Sequence, residues 1–207
     1  MASRAKQIAR ARSLLYAHST SIKKTSAAKR DDTAETFGKP PRRYVAYGVK
    51  MAKMPVADFD RIQRDWYPPR KGVNQPCSVD AMHLGGDGLW YAIEFKIGCV
   101  NTANLVRKIH ETIMGCKEHL GPLSQDFCGY GFYRKKMVYV VVASDLEMYY
   151  AKDRTFYRTL NAYREPWEQR SFPIRWHLKP LEGILVSRYY ELSPTLFARF
   201  AKEKKWV

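Results

Sequence analysis

The chain has 207 residues, of which 45% are hydrophobic, and it carries a formal net charge of +16. This length suits one domain with a full core, and the charge predicts a polyanionic partner such as DNA, RNA or an acidic surface. No apolar run approaches the length of a membrane span or of a secretory signal core, so we expect a cytoplasmic protein with no membrane partner. The sequence also lacks a phosphate-cradling glycine loop, a nucleophile elbow and a dinucleotide-binding fingerprint, which argues against a small-molecule enzyme.

The four cysteines, at positions 77, 99, 116 and 128, form no closely spaced pair. Reduced thiols are therefore expected, because a chain of this size folds without disulfides. Cys116 and His119 have the spacing of two metal ligands on one helical turn. Without a second pair of ligands they do not predict a zinc site.

The chain begins with a basic segment, since the first 53 residues hold 13 Lys or Arg against 3 acidic residues. Ala2 to Tyr16 is predicted to form a basic helix, and residues 37–43 form a linker rich in Gly and Pro. We expect residues 1–43 to be a basic arm and linker, and residues 44–207 to form a single domain. Three interpretations of the arm stay open: a contact with nucleic-acid phosphates, an organelle transit peptide, or a disordered solubilising tail.

Two elements are predicted between the linker and the centre of the chain. Tyr44 to Val49 is a candidate strand. Pro55 is well suited to the first turn of a helix, which predicts a helix from Val56 to Trp66. Tyr67 to Gly72 then breaks the helix and presents cations beside an aromatic ring.

A β-hairpin follows, with its turn at Gly85 to Gly88, where glycines allow the positive φ angles that a tight turn requires. Leu89 to Ile97 is rich in aromatic and branched residues and is predicted to be its second strand. Side chains alternate along a strand, so Glu94 and Lys96 share one face, opposite the strand that bears Asp80. Two carboxylates on neighbouring strands suit a hard divalent cation such as Mg²⁺.

Asp80 and the triplet Glu94-Phe95-Lys96 together resemble the signature of the PD-(D/E)XK nuclease superfamily. The resemblance implies a restriction-endonuclease-like core in which Asp80, Glu94 and the Phe95 carbonyl bind Mg²⁺ or Mn²⁺, while Lys96 positions the attacking water. It also suggests Asp60 as an additional acid. A surface ion pair on a hairpin is the alternative for the triplet, and favourable placement against a helix dipole is the alternative for Asp60.

A helix is predicted from Asn101 or Thr102 to about Leu120, with Lys108 interpreted as a solvated lysine that lies within sequence reach of the site. His110 and His119 are interpreted as structural or surface residues. The remaining predicted elements are a loop at 129–136, a buried strand at 137–143, a helix at 154–163, a strand at 183–190 and a final helix at 195–204 that Ser193 and Pro194 cap. This order predicts an α/β or α+β domain with a central mixed sheet flanked by helices.

Basic side chains and loop aromatics are the predicted contacts with nucleic acid. Rings and cations in the 129–136 loop suit single-stranded or distorted nucleic acid, although loop aromatics can equally pack against their own domain. The predicted contact residues are Arg10, Arg12, Lys23, Lys24, Arg42, Arg43, Arg70, Lys71, Tyr133, Arg134, Lys135 and Lys136. The leading hypothesis is a metal-dependent nuclease. The alternative is a catalytically inactive protein on the same fold that binds nucleic acid or a partner, such as a phage or host regulator or a ribonucleoprotein subunit. A homodimer or a protein partner stays open in either case.

Overall fold

A computed structural model describes residues 4–21, 54–96, 101–143 and 178–207 of the chain. Six strands form one mixed sheet in which the spatial order follows the chain order. The strands are β1 (Ser19–Ser21), β2 (Pro55–Asp58), β3 (Ala81–Leu84), β4 (Trp90–Lys96), β5 (Met137–Ala143) and β6 (Arg188–Leu192). Neighbours from β1 to β4 are antiparallel, whereas β4, β5 and β6 run parallel to one another. The predicted α/β class with a mixed sheet flanked by helices is confirmed.

The helices of the described residues are α1 (Arg4–Tyr16), α2 (Phe59–Trp66), α3 (Thr102–Leu120), α4 (Tyr130–Lys136) and α5 (Pro194–Glu203), with short 3₁₀ turns at Gly121–Leu123, Gln125–Phe127 and Lys179–Leu181. Two of these helices, α3 and α5, begin with a side-chain cap near the start that the sequence predicts. The Asn101 side chain accepts hydrogen bonds from two backbone amides at the start of α3. The Ser193 side chain accepts a hydrogen bond from the Leu196 amide at the start of α5. Both caps satisfy amides that have no partner within the helix.

The hairpin between β3 and β4 is confirmed, with its turn at Gly85 to Gly88. Gly88 has a φ of 74°, in the region that favours glycine. The Asp87 carboxylate stabilises the turn, because it accepts hydrogen bonds from the Leu89 amide and from the Tyr91 hydroxyl.

The centre of the sheet is buried on both faces. All seven residues of β5 are buried, which confirms the predicted buried strand, and β5 runs parallel to both of its neighbours. In β4 the first six residues are buried and Lys96 is half-buried. Alternation along the strand predicted a core only on the face that carries Tyr91, Ile93, Phe95 and Ile97. The opposite face is also covered, because α3 packs there and its Leu105 carbonyl accepts a hydrogen bond from the Tyr139 hydroxyl of β5.

Two predicted elements have different boundaries. The helix predicted at 56–66 is wrong in its first turn, since Pro55–Asp58 pairs with β1 and β3 as a strand. Asp58 then caps α2, and its side chain accepts a hydrogen bond from the Arg61 amide. The strand predicted at 183–190 begins instead at Arg188, because a turn with Gly183 at φ 73° precedes it.

The loop predicted at 129–136 is wrong, because residues 130–136 form α4. Gly129 has the extended backbone of a residue that precedes a helix. Helical spacing places Tyr133 on the buried side of α4 and leaves the cations at its end exposed.

Residues 4–21 of the predicted arm pack against the sheet. Ala11 and Leu15 of α1 are fully buried, and the Tyr16 hydroxyl accepts a hydrogen bond from the Leu84 amide at 3.0 Å. Strand β1 extends the sheet by pairing with β2. The expected boundary between residues 43 and 44 therefore does not separate this segment from the domain.

Several predictions lie outside the described residues: the linker at 37–43, the strand at 44–49, the helix at 154–163 and Cys99. Cys77, Cys116 and Cys128 are free thiols in the described residues. No helix in the described ranges is both long enough and apolar enough to cross a membrane.

Candidate active site at the ends of β3 and β4

Asp80 precedes β3 and connects the beginning of β3 to the end of β4. Its side chain is buried, and Oδ2 accepts a hydrogen bond from the Phe95 amide at 2.7 Å. Its backbone carbonyl accepts a hydrogen bond from the Phe59 amide at the start of α2. These contacts orient the second carboxylate oxygen, Oδ1, toward the face of the sheet that α3 covers, where it lies 3.7 Å from Lys108 Nζ.

Glu94 is the most deeply buried acid of the site, with a relative exposure of 0%. Its Oε1 lies 2.7 Å from Lys108 Nζ and 3.1 Å from Lys96 Nζ. Its Oε2 is buried without a hydrogen-bond partner among the described residues. Burial raises the pKa of Glu94 from 4.5 to about 7; the Asp80 carboxylate adds to the rise, and the two lysines oppose it.

Lys108 is part of the site, so its interpretation as a solvated lysine is wrong. It lies on α3, its side chain is 20% exposed, and its Nζ is within 4 Å of an oxygen of both Asp80 and Glu94. The two carboxylates raise the pKa of Lys108 against the opposing effect of burial. Helical spacing could have indicated this position, because Leu105 and Thr112, three residues before and four after it, are both buried.

Asp60 does not join the two acids. It lies in the first turn of α2, where its Oδ1 accepts a hydrogen bond from the Ser78 hydroxyl at 2.6 Å. Within the described ranges, no group of three or more His, Cys, Asp or Glu side chains is arranged to hold a metal ion. The acidic part of the site is therefore the pair Asp80 and Glu94.

The pair nevertheless fits Mg²⁺ or Mn²⁺ in its chemistry. Mg²⁺ is commonly bound through one or two carboxylates and keeps several waters. The Glu94 Oε2 atom is an oxygen ligand without a competing hydrogen bond in the described structure. The Lys108 ammonium opposes metal binding, since it is already in contact with the Glu94 carboxylate.

A third buried acid, Glu191 of β6, was missed by sequence reasoning. The register places Glu94, Val141 and Glu191 side by side across β4, β5 and β6. Two strand spacings put the backbones of the outer two roughly 10 Å apart. The Tyr189 hydroxyl donates a hydrogen bond to Glu191 at 2.9 Å. The predicted strand ended at residue 190, so the sequence pattern gave no signal for Glu191.

Most predicted nucleic-acid contacts in the described ranges are exposed, namely Arg10, Arg12, Arg70, Lys71, Arg134, Lys135 and Lys136. Tyr133 is the exception. Its side chain is fully buried and its hydroxyl donates a hydrogen bond to the Phe127 carbonyl at 2.9 Å. Its ring therefore packs within the domain and is not free to stack on a base. Lys23, Lys24, Arg42 and Arg43 lie outside the described residues.

Comparison of the chain with protein-family models, with curated proteins and with solved structures finds no match. The grouping of Asp80, Glu94, Lys96 and Lys108 is the feature from which a function can be proposed.

Proposed function

We propose that this protein is a metal-dependent nuclease with a site similar to that of the PD-(D/E)XK superfamily. The observation that supports this most is the buried pair Asp80 and Glu94, with Lys96 beside it and with Glu94 Oε2 lacking a partner in the described structure. A buried carboxylate oxygen without a hydrogen bond is costly, and a ligand that completes its coordination removes the cost. A divalent cation is the ligand that carboxylate oxygens suit.

Each residue has a distinct role in this proposal. Asp80 and Glu94 would hold Mg²⁺ or Mn²⁺, assisted by the Phe95 carbonyl. When bound, the metal supplies Lewis-acid polarisation of a phosphoryl oxygen and stabilises the charge that develops on it. Lys96 orients a water molecule toward the phosphorus atom. The water oxygen bonds to phosphorus and gives up a proton to solvent, while a phosphodiester P–O bond breaks and the leaving oxygen takes up a proton from solvent. The products are a phosphate monoester and a free hydroxyl.

The positions of the residues are compatible with this role. Lys96 is the last residue of β4, pairs in register with Ala143 at the end of β5, and has a side chain that is 12% exposed. Ligands of α/β sheets commonly bind beyond the carboxyl ends of parallel strands. The exposed cations among the predicted contact residues would hold the nucleic-acid backbone, and their contribution to affinity should fall steeply with salt.

The test is cleavage of labelled single- and double-stranded DNA and RNA with Mg²⁺, Mn²⁺ or chelator. We expect metal-dependent cleavage that falls on the order of 100-fold in Glu94→Gln, which loses a metal ligand, and in Lys96→Ala, which loses the group that orients the attacking water. Lys202→Ala, at an exposed lysine of α5, is the matched control and should cleave normally. Equal cleavage by the wild type and Glu94→Gln would refute the proposed site.

A second candidate is a catalytically inactive protein that binds nucleic acid or a partner. The observation that favours it is Lys108, whose ammonium already compensates the carboxylates of Asp80 and Glu94. A nuclease-like fold can retain a basic surface after its activity is lost. Nucleic acid that is bound at saturating protein but remains uncut with every metal would favour this candidate.

A further inference from the structure

We infer that Lys108 is a built-in cation that occupies the metal-binding position between Asp80 and Glu94, so that a divalent metal must displace it. This inference rests on the proposed function, because it concerns the same two carboxylates. Lys108 Nζ lies 2.7 Å from Glu94 Oε1 and 3.7 Å from Asp80 Oδ1, so a single cationic atom contacts both acids.

The charges of the site explain why displacement is required. Asp80 and Glu94 carry two negative charges when ionised, and Lys96 and Lys108 carry two positive charges. A divalent metal added to this neutral group would leave two uncompensated positive charges at a site where Glu94 is fully buried. Uncompensated buried charge is strongly unfavourable, and withdrawal of one ammonium reduces the excess.

Of the two lysines, Lys108 is the one whose side chain can move away from the carboxylates. It projects from α3, whereas Lys96 lies on the same strand as Glu94, two residues away. A lysine side chain is a flexible stem that carries a compact charge, and the Lys108 side chain is 20% exposed, which leaves it a path toward solvent. A change of side-chain rotamer would therefore open the site while the sheet stays unchanged.

The experiment measures Mn²⁺ binding by electron paramagnetic resonance, which does not depend on activity. Lys108→Met keeps an unbranched side chain that is one heavy atom shorter and removes the charge, and should bind Mn²⁺ about tenfold more tightly than the wild type in buffer above the Glu94 pKa. Lys108→Arg keeps the charge and should stay near the wild type. Lys96→Met is the matched lysine control and should gain less than Lys108→Met. The inference is overturned if Lys108→Met binds no more tightly than the wild type, or if Lys96→Met gains as much.

Loss of Lys108 could also prevent folding, because it leaves two buried acids without this cation. In that case Mn²⁺ should restore the folded state of Lys108→Met by replacing the missing charge, as followed by circular dichroism. Failure of Mn²⁺ to restore folding would overturn the inference.

The two proposals fail in different ways. Tight Mn²⁺ binding by Lys108→Met without cleavage by any variant would refute the nuclease and support the inference. Metal-dependent cleavage by the wild type, with no gain in Mn²⁺ affinity in Lys108→Met, would support the nuclease and overturn the inference.

Discussion

Replacement of Glu94 by Gln should change how the stability of the protein depends on pH. The Glu94 pKa is about 7 in the folded protein, against an ordinary value of 4.5, chiefly because the side chain is fully buried. A group whose pKa is higher in the folded state stabilises the protein fully below the unfolded pKa, and this stabilisation is lost as the pH rises through the folded pKa. Gln cannot ionise, so the variant lacks this contribution.

The magnitude follows from the two pKa values. One unit of pKa difference corresponds to about 1.4 kcal/mol, so a rise from 4.5 to about 7 corresponds to roughly 3 kcal/mol in the free energy of unfolding. Relative to Glu94→Gln, the wild type should therefore lose roughly 3 kcal/mol of stability between pH 4.5 and about pH 7. Any effect of the amide that does not depend on pH, such as a change in packing, shifts the difference equally at every pH and does not alter this slope. The charge-dependent contact with Lys108 is already contained in the Glu94 pKa.

The assay is urea unfolding of the wild type and the variant at closely spaced pH values across this window. Subtraction of the two curves removes the contribution of groups that titrate alike in both proteins. Glu203→Gln is a suitable control, because Glu203 is exposed on α5 and its replacement should leave the pH profile parallel to that of the wild type. Parallel curves for the wild type and Glu94→Gln would refute the conclusion that Glu94 is held in a buried site that raises its pKa.

Two matched pairs of variants test the fold itself by denaturant unfolding. Leu15→Ala should lower the free energy of unfolding by about 3 kcal/mol, because Leu15 is fully buried. Leu14→Ala should lower it by less than about 0.5 kcal/mol, because Leu14 is 41% exposed. Equal effects of the two variants would contradict the packing of α1 on the sheet. Gly88→Ala should lower the free energy of unfolding by about 1 kcal/mol, because Gly88 has a φ of 74°. Gly86→Ala should be nearly neutral, because Gly86 has no positive φ and has open space where a Cβ would lie. A neutral effect of Gly88→Ala would contradict the described turn.

The sequence by itself determined those features of the protein that depend on local chemistry. The glycine-rich turn, the cap at Ser193 and the continuous apolar run of β5 each need only a few neighbouring residues. The hairpin places Asp80, which directly precedes β3, beside Glu94 near the end of β4, so the proximity of these two acids followed from the sequence as well. The α/β class was predictable for the same reason, since it follows from the order of such elements.

Features that depend on packing between distant segments were decided only by the tertiary structure. Periodicity shows which residues share a face, but not which other element covers that face. Lys108 lies in the site because α3 packs over Glu94. Tyr133 does not belong to the predicted nucleic-acid surface, because its ring on α4 is buried within the domain. The same reason explains why the sequence did not predict the environment of Glu94. Its raised pKa and its unpartnered oxygen result from burial under α3, which alternation along one strand cannot reveal.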